Sequence, residues 1–368
     1  MEDRMLTMRR PTGSSERYSG VELFRILAVI LICSCHTVQT AYHMFDMSAM
    51  NTANGLLRSF NYMGQVGNII FIMSSAYFLS DSHSVKPEKP LNILLDSSCI
   101  SVVIFLGYVF AGYQFSTADT ISYIFPGTFG RVWFVPAYAW FYLAHPIVNF
   151  VLRRLDKYGH IFVLGILMML YFVFGGGSFF EFLITYVIIA YFKHFADDFC
   201  KDKKKNVIGF LAFFSAYVVW CAIKYVYGRA DWPDLEFWFS PFIMPWVLCL
   251  FNLFNLVKLK NKAINYLASC SLFVYCIHGH ALIGRIVPIM LYQHVLDVSP
   301  NEYFGWIILC CVIVVVGGFA LAVIYKETFA RLTKLVAKWI CVGLVKLLNW
   351  IFDLFKKPKK RTEQINNA

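Results

Sequence analysis

The chain has 368 residues, of which 59% are hydrophobic and 15% charged, with a mean hydropathy of +0.60. A soluble domain is nearer half apolar and a quarter charged, so this composition excludes an ordinary soluble enzyme and predicts a polytopic, all-α membrane protein. The net charge of +11 would suit nucleic acid, but its distribution along the chain follows membrane topology instead, and no nucleic-acid partner is expected.

Residues 1–18 are polar and carry Arg4, Arg9, Arg10 and Arg17. The apolar stretch that follows has spanning length and no convincing cleavage site, so the tail reads as cytosolic and retained. Apolar runs of spanning length then occur at 20–40, 60–80, 93–113, 132–152, 158–175, 179–196, 206–227, 237–257, 264–284 and 304–325, which predicts about ten transmembrane helices. The basic residues test this count. Lys86 and Lys89, Arg153 to Lys157, Lys193 to Lys205, Lys258 to Lys262 and the two tails all fall on one side, together 27 of the 33 Lys and Arg. Arg58, Arg131, Lys224, Arg229 and Arg285 fall on the other side or near it, and Arg25 lies within a span. The positive-inside rule then puts both termini in the cytosol. Losing one span would invert every later loop, so the weaker third (with Asp96) and sixth (with Glu181) are kept.

The first span holds Arg25 and His36 in the run VELFRILAVILICSCH (residues 21–36). Eleven positions turn a helix through about 1100°, which leaves the two side chains about 20° apart on one face and roughly 16 Å apart along the axis. Cations and imidazoles are costly in lipid, so such a face is expected to meet a cavity or a partner helix. Alone, Arg25 could equally snorkel to headgroups. His278, in the ninth span, is placed at a similar height to His36. His145, next to Pro146, reads as structural, and Asp96 as the centre of a polar network. The eleven cysteines show no CxxC spacing and sit in apolar runs or on the cytosolic side, so neither a disulfide nor a metal site is predicted.

Residues 326–357 differ from the spans. Arg331, Lys334, Lys338, Lys346, Asn349 and Asp353 form a narrow stripe at 100° per residue, with apolar residues over most of the remainder. This predicts an amphipathic helix in the inner interface, followed by a basic run at 356–361 suited to anionic lipid. The division expected is a cytosolic tail at 1–18, a transmembrane domain at 19–325, and an amphipathic helix with a basic tail at 326–368.

An imidazole has an unperturbed pKa near 6.5 and is well matched to general-base work or to carrying an acyl group. The chain has no P-loop, GxSxG elbow or HExxH pattern. Four segments, in order, resemble the acyltransferase-3 family of integral membrane acyltransferases. They are Arg25 to His36, GNIIFIMSSAYFL (residues 67–79), VWFVPAY (132–138) with Leu143 and Pro146 following, and SLFVYCIH (271–278). The resemblance implies a ten-helix core with cytosolic termini, an acyl-CoA donor (usually acetyl-CoA), and a cell-surface polysaccharide or its precursor as acceptor. It makes His36 the catalytic histidine, with Arg25 its motif partner. Arg131, Trp133, Tyr275 and His278 become candidates for the substrate, and Arg25, Lys86 and Lys89 for the donor. Two features depart from the family pattern: Ser74-Ser75 stands where Ser-Gly is common, and VKPEKP (85–90) lacks an arginine-rich segment. The expected protein is an O-acyltransferase of the plasma (inner) membrane, working among lipids and possible polysaccharide-synthesis proteins. A glycan flippase or transporter and a membrane scaffold are the alternatives.

Overall fold

The computed structural model describes residues 18–42, 44–45, 57, 60, 63–82, 84–127, 132–226, 239–284, 286–293 and 300–355. Of these residues 84% are helical, and none is in a strand. The helices in order are α1 (Gly20–Tyr42), α2 (Met63–Leu79), α3 (Glu88–Phe110), α4 (Thr117–Ile124), α5 (Phe134–Leu152), α6 (Lys157–Val173), α7 (Ser178–Phe195) and α8 (Asp197–Lys201). They continue as α9 (Lys203–Val226), α10 (Ile243–Asn255), α11 (Lys262–His278), α12 (Ala281–Gly284), α13 (Ile286–Tyr292), α14 (Pro300–Thr328) and α15 (Ala330–Phe355). Every predicted span overlaps a helix, and the ninth runs past the end of its helix into a break. Six helices are long and apolar enough to cross a membrane by themselves, while α2, α6 and α10 are apolar but shorter. The molecule is therefore an all-α, polytopic membrane protein.

Helix α1 is the axis of the bundle. It packs against α2, α10, α11 and α14, and Phe24, Ala28, Val29 and Cys33 on it are fully buried. Close approach to α2 depends on glycine. A Cβ on Gly67 would sit 2.5 Å from the Ala28 carbonyl oxygen, and one on Gly64 2.9 Å from the Cys35 sulfur. Without a hydrophobic drive between helices in lipid, such small-residue contacts and buried hydrogen bonds carry much of the association.

Polar side chains tie the remaining helices where backbone groups are left over. The carboxamide nitrogen of Asn149 on α5 donates to the carbonyls of Leu79 and Ser82 at 2.9 Å each, and its oxygen accepts from the Tyr186 hydroxyl at 2.5 Å. Arg153 adds a bond to the Ser80 carbonyl, and Lys193 reaches the Tyr77 carbonyl and Asp81. Together they satisfy the end of α2. On α5, Pro146 has no N–H to give the Tyr142 carbonyl one turn back. The Nδ1 of buried His145 meets that carbonyl at 2.5 Å instead, so His145 is a structural residue. Asp96 accepts from Asn92, from Tyr325 on α14 at 2.8 Å and from Thr333 on α15 at 2.5 Å. It is the centre of the expected network, and that network fixes the C-terminal helix. All eleven cysteines are free.

Some expectations change. The ninth span is not one helix. It ends at His278, and its continuation at Leu282–Tyr292 is bent by 86° from it. Gly279 follows His278 at the break, and a Cβ on Gly284 would lie 2.2 Å from the His278 carbonyl oxygen, so the chain folds back tightly upon that residue. The helix of the eighth span, α10, has 13 residues, Ile243–Asn255, against a predicted run from 237. The third helix starts at Glu88 and includes Pro90, which the first helical turn tolerates because its amide would be unpaired there. The amphipathic helix begins at Ala330. It meets α3 along a seam of Thr333, Ala337 and Cys341, while Leu332, Leu335, Trp339 and Leu344 stay exposed. Helices α4 and α8 were not anticipated. The N-terminal tail before Tyr18 and the basic run at 356–361 lie outside the described residues.

Candidate functional site

The Arg25–His36 helix carries two polar centres. At its start, Arg25 stands on the wall of a cavity of about 850 Å³. Ser74, Ser75 and Tyr77 of α2, Lys89 of α3, Tyr138 and Tyr142 of α5, and Lys260 from the loop after α10 complete much of the lining. Among the described lining residues there are three cations and no carboxylate. The buried Glu22 meets Arg25 from its own helix, 3.2 Å from Nη1. The Arg25 side chain remains 28% exposed, so the ion pair orients the guanidinium without removing it from the cavity.

Local sequence explains how these groups converge. The backbone N–H of Ser19 donates to the Leu259 carbonyl at 2.7 Å, and its hydroxyl accepts from the Asn261 amide at 2.9 Å. The loop carrying Lys260 is thereby stitched to the start of α1, and Lys260 lies over the ring of Tyr18 at 5.6 Å. A Cβ on Gly20 would fall 2.0 Å from the Phe254 carbonyl oxygen; only glycine lets α1 start this close to the end of α10. Across the cavity, Lys89 sits 5.7 Å from the centre of the Tyr142 ring. Lys86 contributes its backbone, whose N–H donates to the Tyr142 hydroxyl at 3.3 Å. Its side chain is not part of the wall, so of the three donor candidates Arg25 and Lys89 are on the cavity and Lys86 is not.

The second centre lies three turns further along α1. The rings of His36 and His278 are stacked, with centroids 5.1 Å apart and planes 12° from parallel. The sequence placed these residues at similar heights on different spans, and the structure brings them into contact. His278 is 2% exposed, and neither of its ring nitrogens has a hydrogen-bond partner. A buried polar atom left unpaired costs about 1–3 kcal/mol.

A run of ring contacts leads from the cavity wall to α11, one turn from His278. Tyr138, on the cavity wall, stacks with Phe134 at 6.4 Å and 10°. Phe134 meets Tyr275 at 5.6 Å, one turn before His278 on α11. Trp133 lies beside the same Phe134 at 5.8 Å, and Val132 is 3.4 Å from where a Gly279 Cβ would be. The 132–138 and 271–278 segments therefore pack against each other. Trp133 and Tyr275 both contact Phe134 but are not among the described residues lining the cavity, and Arg131 lies outside the described residues. Sequence reasoning did not single out Lys260, Tyr138, Tyr142 or Ser75 as site residues. Lys260 carried a signal only as a loop charge and Tyr142 only as part of a high aromatic content, while Tyr138 and Ser75 stood inside the family-like segments without a role of their own.

Fold and site together define a polytopic helical membrane protein with a basic cavity at one end and paired imidazoles within. Residues 18–323 match the acyltransferase domain model of the acyltransferase-3 family, which is most of the chain. The chain belongs to that family, and it is a membrane acyltransferase. No curated protein and no solved structure matches it.

Proposed function

We propose that the protein is an O-acyltransferase that moves an acyl group, acetyl in the first instance, from acyl-CoA to a hydroxyl of a cell-surface polysaccharide or its precursor. The observation that carries this reading is the pairing of sites on one helix: Arg25 on a cation-lined cavity, and His36 stacked on His278 three turns away. CoA carries phosphates at one end and its thioester at the other. Arg25, Lys89 and Lys260 suit the phosphates, with the planar guanidinium able to make bidentate contacts. The cavity reaches Tyr138, whose ring stacks on the buried Phe134, and in this reading the pantetheine arm passes along that apolar side toward His36. There His36 acts as general base toward the acceptor hydroxyl or takes the acyl group itself.

In this reading the protein sits in the plasma (inner) membrane with ten spans and both termini in the cytosol, and the cavity opens to the cytosolic pool of donor. Residues 19–325 form the transferase domain. The helix and tail at 326–368 lie against the inner leaflet, and polysaccharide-synthesis proteins supply the acceptor. The test is release of CoA from acetyl-CoA by the purified protein in lipid nanodiscs, with acetyl content of surface glycans measured by mass analysis in parallel. His36→Ala is expected to abolish both while leaving the protein folded. Normal glycan acetylation by folded His36→Ala would end the assignment, and a protein that moves glycan without releasing CoA would be a transporter.

A further inference from the structure

We infer that His278 is a second catalytic imidazole, which donates a hydrogen bond to the acyl oxygen while His36 handles the proton. The inference rests on the acyl-transfer reading above and adds a separate role to it. Three observations support it. The His278 ring lies parallel to His36, with centroids 5.1 Å apart, so any group that reaches one imidazole is within reach of the other. Both nitrogens of this almost completely buried ring lack a protein partner, and a neutral imidazole always carries one N–H that can donate. The backbone around it is tightly fixed, with Gly284 folded onto its carbonyl and Gly279 against Val132, as preorganised stabilisation of charge requires.

The step balances as follows. His36 takes the proton of the acceptor hydroxyl as that oxygen bonds to the thioester carbon. The carbonyl oxygen becomes an oxyanion and accepts the hydrogen bond from the His278 N–H. The tetrahedral adduct collapses, the C–S bond breaks, and the CoA thiolate takes the proton held on His36. A purely structural role for His278 would need only a flat ring against His36.

His278→Phe keeps a ring and removes the donor; His278→Gln keeps an N–H donor and removes the ring. The variants are compared as full-length protein in nanodiscs by CoA release from acetyl-CoA, with a glycolipid extract as acceptor. Size-exclusion profile and thermal unfolding report folding. His278→Phe is expected to lose about 100-fold in kcat, the size of effect seen when one oxyanion donor is removed, with KM for acetyl-CoA within about twofold of the parent. His278→Gln is expected to stay within about tenfold of the parent. Activity of His278→Phe equal to or above that of His278→Gln would overturn the donor role in favour of stacking. Should the Phe variant not fold, a folded His278→Gln as inactive as His36→Ala overturns it equally. Full activity in His36→Ala would instead remove the acyl-transfer assignment for His36, and absence of CoA release by the parent protein would remove both.

Discussion

Arg25 had two readings that sequence alone could not separate: a snorkelling cation, or a ligand for phosphate. Its neighbours decide the geometry. The buried Glu22 carboxylate holds it at 3.2 Å, and its exposed portion faces a cavity that also receives Lys89 and Lys260. A snorkelling arginine needs neither a buried carboxylate nor two further cations around the same space. If the three cations hold a phosphorylated donor, Lys89→Ala and Lys260→Ala should each raise KM for acetyl-CoA about tenfold with kcat little changed, in keeping with the 1.5–3 kcal/mol of a charged hydrogen bond at its lower end. Added salt should raise KM in the parent protein and less so in the variants. Steady-state kinetics of CoA release over a range of salt concentrations would check this, and unchanged KM in both variants would exclude the cavity as the donor site. Lys260 also marks what was hidden in the sequence. Its charge was legible, but its position depends on Ser19 pairing with Leu259 and Asn261, some 240 residues away in the chain, and no local pattern announces such a contact.

Single elements were easier to read than the joints between them. Hydropathy found a helix at every predicted span because burial in lipid demands satisfied backbone groups over a fixed length. The regular spacing of Arg25 and His36 held because α1 is continuous from Gly20 to Tyr42. The break after His278 was not legible, since residues 264–284 remain apolar through it; its cause is the fit of Gly279 and Gly284 against neighbouring atoms, which composition does not report. Similarly, Asn149 is one polar residue in an apolar run of sequence, yet it satisfies the carbonyls of Leu79 and Ser82, at and just past the end of α2. The glycines of α2 make an equivalent demand. In Gly67→Val, side-chain atoms would overlap the Ala28 carbonyl and the Ile32 side chain, both within about 2.6 Å of the ideal Cβ. The variant is expected to push α2 from α1, to lower the thermal midpoint by several degrees, and to cut activity at least tenfold through the displaced Arg25 and His36 face. A thermal-shift measurement in detergent beside the CoA-release assay tests it; a variant as stable and active as the parent would mean that the α1–α2 contact is not tight.

At the scale of the whole molecule, the arrangement of charge and the arrangement of sites give one directional prediction. The charged residues around the basic cavity come from the start of α1, the start of α3 and the loop after α10, beside the end of α2, while Tyr138 and Tyr142 of α5 line its deeper part. Lys193, Arg153 and the charged α8 region belong to the same set of connections by the charge pattern, whereas α4, between α3 and α5, belongs to the opposite set. Donor supplied from the cytosol requires the cavity end to face inward, the orientation that the positive-inside rule also assigns. Alkaline phosphatase fused after Tyr113, before α4, should therefore be active in a bacterial host. Fusions after Leu155, Asp202 and Lys260 should be inactive, and green fluorescent protein at the last three positions should fluoresce. The fusion after Asp202 carries the most information, because it tests the shorter α6 together with α7 as two separate crossings. Phosphatase activity there, with Leu155 still inactive, would mean that one of these helices does not span. The cavity and the Lys260 loop would then lie at opposite faces in any topology that preserved the remaining spans, which is incompatible with Ser19 bonded to Asn261.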